Sequence, residues 1–165
     1  MHVHRYEKAW AYFSIGLVLV FFLALVTAAF AGGVQVPSPA GIINPARLSA
    51  TDFAQPGLRQ LAPGEYEVYM VGQFWQWTPN EIRVPQGARV KFYLTSGDVQ
   101  HGFKVQGTTI NVMVIPGQVS YFSYRFKTPG EYLIICHEYC GSNHHLMSGK
   151  IIVEAPTAAT TAATP

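Results

Sequence analysis

From Ala9 to Ala46 the chain carries no charged side chain, and its first part, Ala9 to Ala31, is almost wholly Ala, Val, Leu, Ile, Phe, Trp and Tyr. As a helix rising about 1.5 Å per residue, that part spans about 34 Å, enough for a hydrocarbon core about 30 Å thick. The length predicts a transmembrane helix over residues 9–32. A cleaved signal peptide has a shorter apolar core, although Ala28-Ala29-Phe30-Ala31-Gly32 is compatible with a small-residue cleavage site. Trp10 and Tyr12, at the start of the run, suit the aromatic belt of a membrane interface. Arg5 and Lys8 precede the run and no cation follows until Arg47. The positive-inside rule therefore places residues 1–8 in the cytoplasm and everything after the helix on the outer side.

A chain of 165 residues leaves room for one ordinary domain beside this helix. Only 12% of its residues are charged, against about 25% in soluble domains. The net charge is +2 and no run of Lys or Arg forms a stripe, which excludes a nucleic-acid binder. Two cysteines exclude a disulfide-rich scaffold.

Residues 33–60 hold Gly32-Gly33 at their edge and then Pro37, Pro39, Pro45 and Pro56, without helical or alternating periodicity, and are expected to form an extended linker. The Ala/Thr/Pro-rich residues 155–165 read as a flexible tail. Between them, residues 61–154 are strand-like. Glu65–Val71 and Arg89–Leu94 alternate, Val119–Phe126, Glu131–Ile135 and Lys150–Val153 are β-rich, and Pro85-Gln86-Gly87, Pro116-Gly117 and Pro129-Gly130 punctuate them as turns. Several short strands over this length predict an all-β sandwich or barrel.

Chemistry concentrates in Cys136-His137-Glu138-Tyr139-Cys140-Gly141-Ser142-Asn143-His144-His145-Leu146-Met147, with a further histidine upstream at His101. Thiolate, imidazole and thioether together make the donor set that soft copper chemistry prefers, whereas zinc sites are completed by Cys, His or carboxylate. A disulfide between the two cysteines is the simplest competing reading outside the cell. The methionine and the distant histidine favour copper. A mononuclear blue-copper site takes one cysteine and two histidines with a weak axial group, so one thiolate here is surplus to it. Two coppers sharing both thiolates would use every donor.

This segment resembles the binuclear CuA motif of subunit II of haem-copper oxidases. The resemblance extends over almost the whole chain, through one N-terminal helix, Asp98-Val99-Gln100-His101-Gly102-Phe103, Val112 to Gly117, and Pro129-Gly130-Glu131-Tyr132, in the family's order. With a single helix the chain is most similar to the B-type oxidases. The resemblance implies an all-β cupredoxin-like Greek-key sandwich with one N-terminal transmembrane helix in a prokaryotic cell membrane. It implies that Cys136 and Cys140 bridge two coppers, that His101 and His144 are terminal ligands, and that Met147 and the Glu138 backbone carbonyl are weak axial ligands. His137 and His145 are excluded by the family's spacing.

The same resemblance makes Trp75, in Gly72-Gln73-Phe74-Trp75-Gln76-Trp77, the residue that receives electrons, and Glu7 the mouth of a proton channel in subunit I. Packing of Trp75 and Trp77 on one strand face is the plain structural reading of that pair, and a solvated helix-start residue that of Glu7. The Glu138 carboxylate would bind magnesium at the subunit boundary. The implied partners are subunit I, a c-type cytochrome donor, membrane lipid and small additional subunits. The implied function is electron input to a terminal cytochrome c oxidase that reduces oxygen to water with proton translocation; a CuA-containing nitric oxide reductase is the alternative. Between Arg47 and Glu154 there are nine basic and eight acidic residues without an acidic cluster, which points to apolar docking of the donor. Seventeen charges in 108 residues, about 16%, also suggest a domain partly covered by partners.

Overall fold

A computed structural model describes residues 4–32 and 38–156. The chain divides into two units, an N-terminal helix and a β-domain. Helix α1 (Arg5–Gly32) is long and apolar enough to cross a membrane, and none of its residues is buried. It begins four residues before the expected span because the Glu7 carboxylate accepts the His4 backbone N–H at 2.9 Å, satisfying a donor at the helix start.

The β-domain is built from β1 (Ser38–Ile42), β2 (Gly57–Ala62), β3 (Glu65–Gln73), β4 (Gln76–Thr78), β5 (Glu81–Pro85), β6 (Arg89–Ser96), β7 (His101–Val105), β8 (Asn111–Val114), β9 (Gln118–Arg125), β10 (Gly130–Cys136) and β11 (Ser148–Glu154). One sheet runs β1-β9-β6-β3-β2, with β4 added to β3; the other runs β5-β11-β10-β7-β8. The pairs β3–β6 and β5–β11 are parallel, so the chain crosses between the sheets before each pair forms.

Period-two alternation decides what faces inward. On β6, Val90, Phe92 and Leu94 are fully buried, while Arg89, Lys91 and Tyr93 between them face outward. Phe92 stacks on Phe122 of β9 at 4.7 Å, and Trp77 meets Phe103 edge-on at 5.1 Å. Each fully buried side chain of this size contributes about 1.5–3 kcal/mol of transfer free energy. The same alternation puts His101 in one inward row with Phe103 and Val105 on β7, and Cys136 in one row with Ile134 on β10. The sandwich thus delivers two polar side chains to the end of its core.

The strands β3, β6, β9, β10 and β11 match the sequence expectation to within two residues at each end. The short strands β4, β5, β7 and β8 were not anticipated, since three to five residues carry too little periodicity. The described part of the expected linker requires correction. Residues 38–60 belong to the β-domain: β1 pairs with β9, β2 pairs with β3, and 3-10 turns span Pro45–Ala50 and Asp52–Ala54. Phe53 is 5% exposed and packs edge-on against Tyr69 at 5.3 Å. The Arg59 guanidinium lies 4.5 Å over the Tyr69 ring and 3.7 Å from the Asp52 carboxylate. This segment closes both edges of its sheet, and edge strands need no clean apolar alternation, which is why it reads as linker. Residues 33–37, and all of the expected tail except Ala155 and Pro156, lie outside the described residues.

Phe53→Ala is therefore expected to lower the unfolding free energy of the detergent-solubilised chain by about 3 kcal/mol, as truncation of a buried Phe does elsewhere. Urea titration of β-domain fluorescence checks this; an unchanged midpoint would restore the linker reading.

Candidate metal centre

The eleven residues from 137 to 147 form one loop between β10 and β11, closed at its neck by the Cys136 N–H donating to the Met147 carbonyl at 3.1 Å. A second bond, His137 N–H to the Gly102 carbonyl at 3.2 Å, fastens the loop to β7. A 3-10 turn at His144–Leu146 then returns the chain, so that residues four and seven positions beyond Cys140 face back toward it.

The expected ligands meet inside this loop. The Cys136 and Cys140 sulfurs are 3.8 Å apart and both thiols are free and buried, far from the roughly 2.05 Å of a disulfide. His101 Nδ1 lies 4.0 Å from the Cys136 sulfur, and His144 Nδ1 lies 3.5 Å from the Cys140 sulfur. The Met147 thioether is 3.7 Å from Cys140, and the Glu138 carbonyl oxygen is 3.2 Å from Cys136. One imidazole and one weak donor therefore flank each thiol. The ligand atoms of His101, Cys136 and Cys140 all lie within 4.8 Å of one another. His145 is exposed on the turn; His137 is exposed too, its ring packed against Gly102.

Burial and hydrogen bonding split the two thiols. Burial opposes ionisation of Cys136, but the hydrogen bond to His101 and the backbone groups of Gly102 and Glu138 outweigh it and bring the thiol down to about 6. Cys140 is pushed up to about 12 by burial and by the neighbouring Cys136 thiolate. Burial also resists protonation of His101, yet Cys136 and Asp98 raise its affinity for a proton. Without metal the pocket accommodates one thiolate readily and resists the second. A soft cation removes that conflict, because both sulfurs then serve as ligands.

Sequence reasoning missed two residues that shape the site. Asp98 Oδ1 is 2.8 Å from His101 Nε2, which leaves Nδ1 as the nitrogen facing the thiols. Its signal was the spacing of three residues to His101. Gly72 supplies the room: a Cβ there would lie 2.9 Å from the Trp77 ring and 3.0 Å from the His101 ring. Trp75 is half-buried on the β3–β4 turn, and its indole N–H donates to the Cys140 carbonyl at 3.2 Å. Its ring lies over Gly141, whose φ of +121° favours glycine and where a Cβ would come within 3.0 Å of the indole nitrogen. Trp77 faces the core, edge-on to His101 at 5.9 Å, so the two tryptophans do different things. Glu7 lies on the helix, in the other unit.

The sequence pattern described as cytochrome c oxidase subunit II, periplasmic domain, matches residues 65–155. The chain is 43% identical to a cytochrome c oxidase subunit 2 of Thermus thermophilus over 157 residues, covering 90% of this chain and 92% of that one. The chain belongs to the cytochrome c oxidase subunit II family. A second Thermus thermophilus subunit 2 is 53% identical over 95 residues, covering 58% of this chain and 70% of its own length. Among solved structures, a chain of a haem-copper terminal oxidase dimer superposes with a TM-score of 0.74 at 36% identity, covering 91% of this chain and all of that one. The periplasmic domain of subunit II from Bradyrhizobium japonicum, at 22% identity and a TM-score of 0.50, shares the fold over 54% of this chain and 83% of its own. Subunit II is thus a cupredoxin-like sandwich with a candidate membrane helix. It is part of a haem-copper oxidoreductase with a subunit I partner, and its His/Cys/Cys group suits copper.

In the metal-free subunit, thiolate absorbance is expected to rise by one thiolate per chain through about pH 6, with the second appearing only in strong alkali near pH 12. His101→Ala removes the bond that lowers Cys136 and should move the first step upward. A single two-thiolate step near pH 9 would contradict this environment.

Proposed function

We propose that this subunit is the electron-input chain of a terminal cytochrome c oxidase, holding a binuclear CuA centre on Cys136, Cys140, His101, His144, Met147 and the Glu138 carbonyl. The single observation that carries the reading is the pairing of two free thiols 3.8 Å apart with one imidazole nitrogen beside each. A mononuclear site would leave one of these thiols, with the imidazole beside it, without a metal. When bound, such a pair of coppers supplies a one-electron carrier whose charge is spread over both metals.

The chain's own residues do the rest. Both thiols, Met147 and His101 are buried and drawn from the core rows or a closed loop, so ligand positions are held by the packing of the sandwich. The Asp98 carboxylate fixes the His101 tautomer. Desolvation limits the reorganisation that accompanies each electron. Trp75 receives the electron at the surface and passes it through the indole hydrogen bond to the Cys140 carbonyl. Electrons then leave for haem in subunit I, where oxygen is reduced to water with proton translocation.

The donor, a c-type cytochrome, docks on exposed apolar side chains of the loops at this end of the sandwich: Phe74, Val99, Tyr139 and Leu146. The helix crosses a prokaryotic cell membrane with its N-terminus in the cytoplasm, in contact with lipid and any small companion subunits. Glu7, at that boundary, is the mouth of a proton channel in subunit I, as in the B-type resemblance. Among the described residues, the group of close His, Cys, Asp or Glu ligand atoms is the thiol–imidazole one. A magnesium ion at the subunit I boundary would take the Glu138 carboxylate as one ligand beside water and groups from outside this chain.

Copper loading of the chain is expected to reach two ions, with a mixed-valence paramagnetic resonance signal delocalised over both; one copper with a single-ion pattern would overturn the site. Glu7→Gln retains an oxygen to cap the helix, so in the assembled oxidase it should slow steady-state turnover several-fold while leaving copper reduction unchanged. Unaltered turnover removes Glu7 from the proton path. Apolar docking predicts that the rate of copper reduction by a c-type cytochrome changes little with ionic strength, and a steep fall from low to physiological salt refutes it.

A further inference from the structure

Asp98 does more than hold one histidine. Its Oδ1 accepts the Val99 backbone N–H at 2.6 Å and meets His101 Nε2 at 2.8 Å, while the Ser96 hydroxyl gives its one hydrogen to the Val99 carbonyl at 2.5 Å and accepts the Asp98 N–H at 3.2 Å. Its Oδ2 accepts the backbone N–H of Phe74, on a different loop, at 2.7 Å. The side chain is 15% exposed. Burial opposes its ionisation, but the bonds from His101, Val99 and Phe74 hold the carboxyl below its usual range. The two loops meet again where the Gly97 N–H donates to the Gly72 carbonyl at 3.1 Å. One residue beyond Phe74, the Trp75 indole reaches the Cys140 carbonyl in the third loop.

We infer that Asp98 is a positioning residue that sets two things together: the orientation of the His101 imidazole and the placement of the Phe74-Trp75 corner through which electrons arrive. The inference deepens the electron-input reading and rests on it for the role of Trp75. Its chemistry follows from donor and acceptor types. The Val99 and Phe74 N–H groups and the His101 ring N–H are all donors, and an ionised carboxylate accepts at both oxygens. An asparagine of the same shape has one oxygen and one NH2. With its oxygen toward His101 and Val99, the amide NH2 confronts the Phe74 N–H; flipped, it confronts His101 and Val99 instead. Either way one end of the clasp opens. Loss of the negative charge also makes the imidazole a weaker donor, which favours the reduced metal.

The test is Asp98→Asn in the full chain in detergent micelles, with two independent readouts. In the metal-free protein, amide exchange at Phe74 should accelerate at least tenfold, and both the Trp75 indole N–H and the His101 ring resonances should shift. In the copper-loaded protein, the metal content should persist while the reduced-to-oxidised ratio at fixed ambient potential rises about tenfold, equivalent to about 59 mV for one electron. Movement of the His101 resonances with Phe74 and Trp75 unchanged would overturn the coupling. So would an unchanged Phe74 exchange rate beside a shifted potential. Ser96→Ala keeps the charge and removes the hydroxyl that ties the Asp98 N–H to the Val99 carbonyl, which loosens the turn carrying the carboxylate, and should produce a smaller shift of the same resonances at both ends. If Asp98→Asn fails to fold, an effect of Ser96→Ala confined to His101 refutes the proposal. A copper spectrum that is not binuclear would count against the electron-input reading, while the metal-free measurements still decide the clasp.

Discussion

The hydrogen bond from the Cys136 N–H to the Met147 carbonyl at 3.1 Å closes the β10–β11 loop, and most of the site's chemistry depends on that closure. It makes the end of one strand and the start of the next a fixed frame. Within it Cys140, His144, Met147 and the Glu138 carbonyl point toward the Cys136–Cys140 pair, while His137, Tyr139, His145 and Leu146 stay exposed. Because β10 and β11 lie side by side in the middle of one sheet, the frame inherits the rigidity of the core. A loop on an open hairpin would present the same residues without holding them.

The same placement creates a conflict that the metal-free chain cannot settle by itself. Two thiols, two imidazoles and a thioether are gathered where water is scarce, and ionising one thiol makes ionising the other harder. Buried polar groups without compensation are costly. A fold that tolerates this concentration of donors stands to gain stability from a cation that satisfies them, so metal binding and folding are linked. Asp98 extends the arrangement outward, converting one more buried charge into fixed hydrogen bonds on two loops.

Much of the fold and of the site was legible in the residues. Arg89–Leu94 alternates cleanly because β6 is central, with one face on the core, and Cys136, Cys140, His144 and Met147 fall within twelve residues, so their spacing could be read directly. Other parts were not. Strand β5 alternates, with Ile82 and Val84 buried, but five residues are too few to decide by pattern, and its order comes from parallel pairing with β11, more than sixty residues away. Residues 38–60 looked like linker because edge segments are punctuated by proline and glycine and lack alternation, although Phe53 is as buried as the core. Asp98 looked like one acid among eight in the outer part.

The sequence by itself determined the apolar helix and the identity of the loop donors, since hydrophobic length and short-range spacing are local properties that no distant contact alters. Tertiary structure decided which nitrogen of His101 faces the thiols, which tryptophan lies over the loop and which enters the core, and that the Asp98 carboxylate orients His101 while the missing side chain at Gly72 leaves room for its ring. Those outcomes require strands far apart in the chain to be brought into register, and only the packed sandwich supplies that.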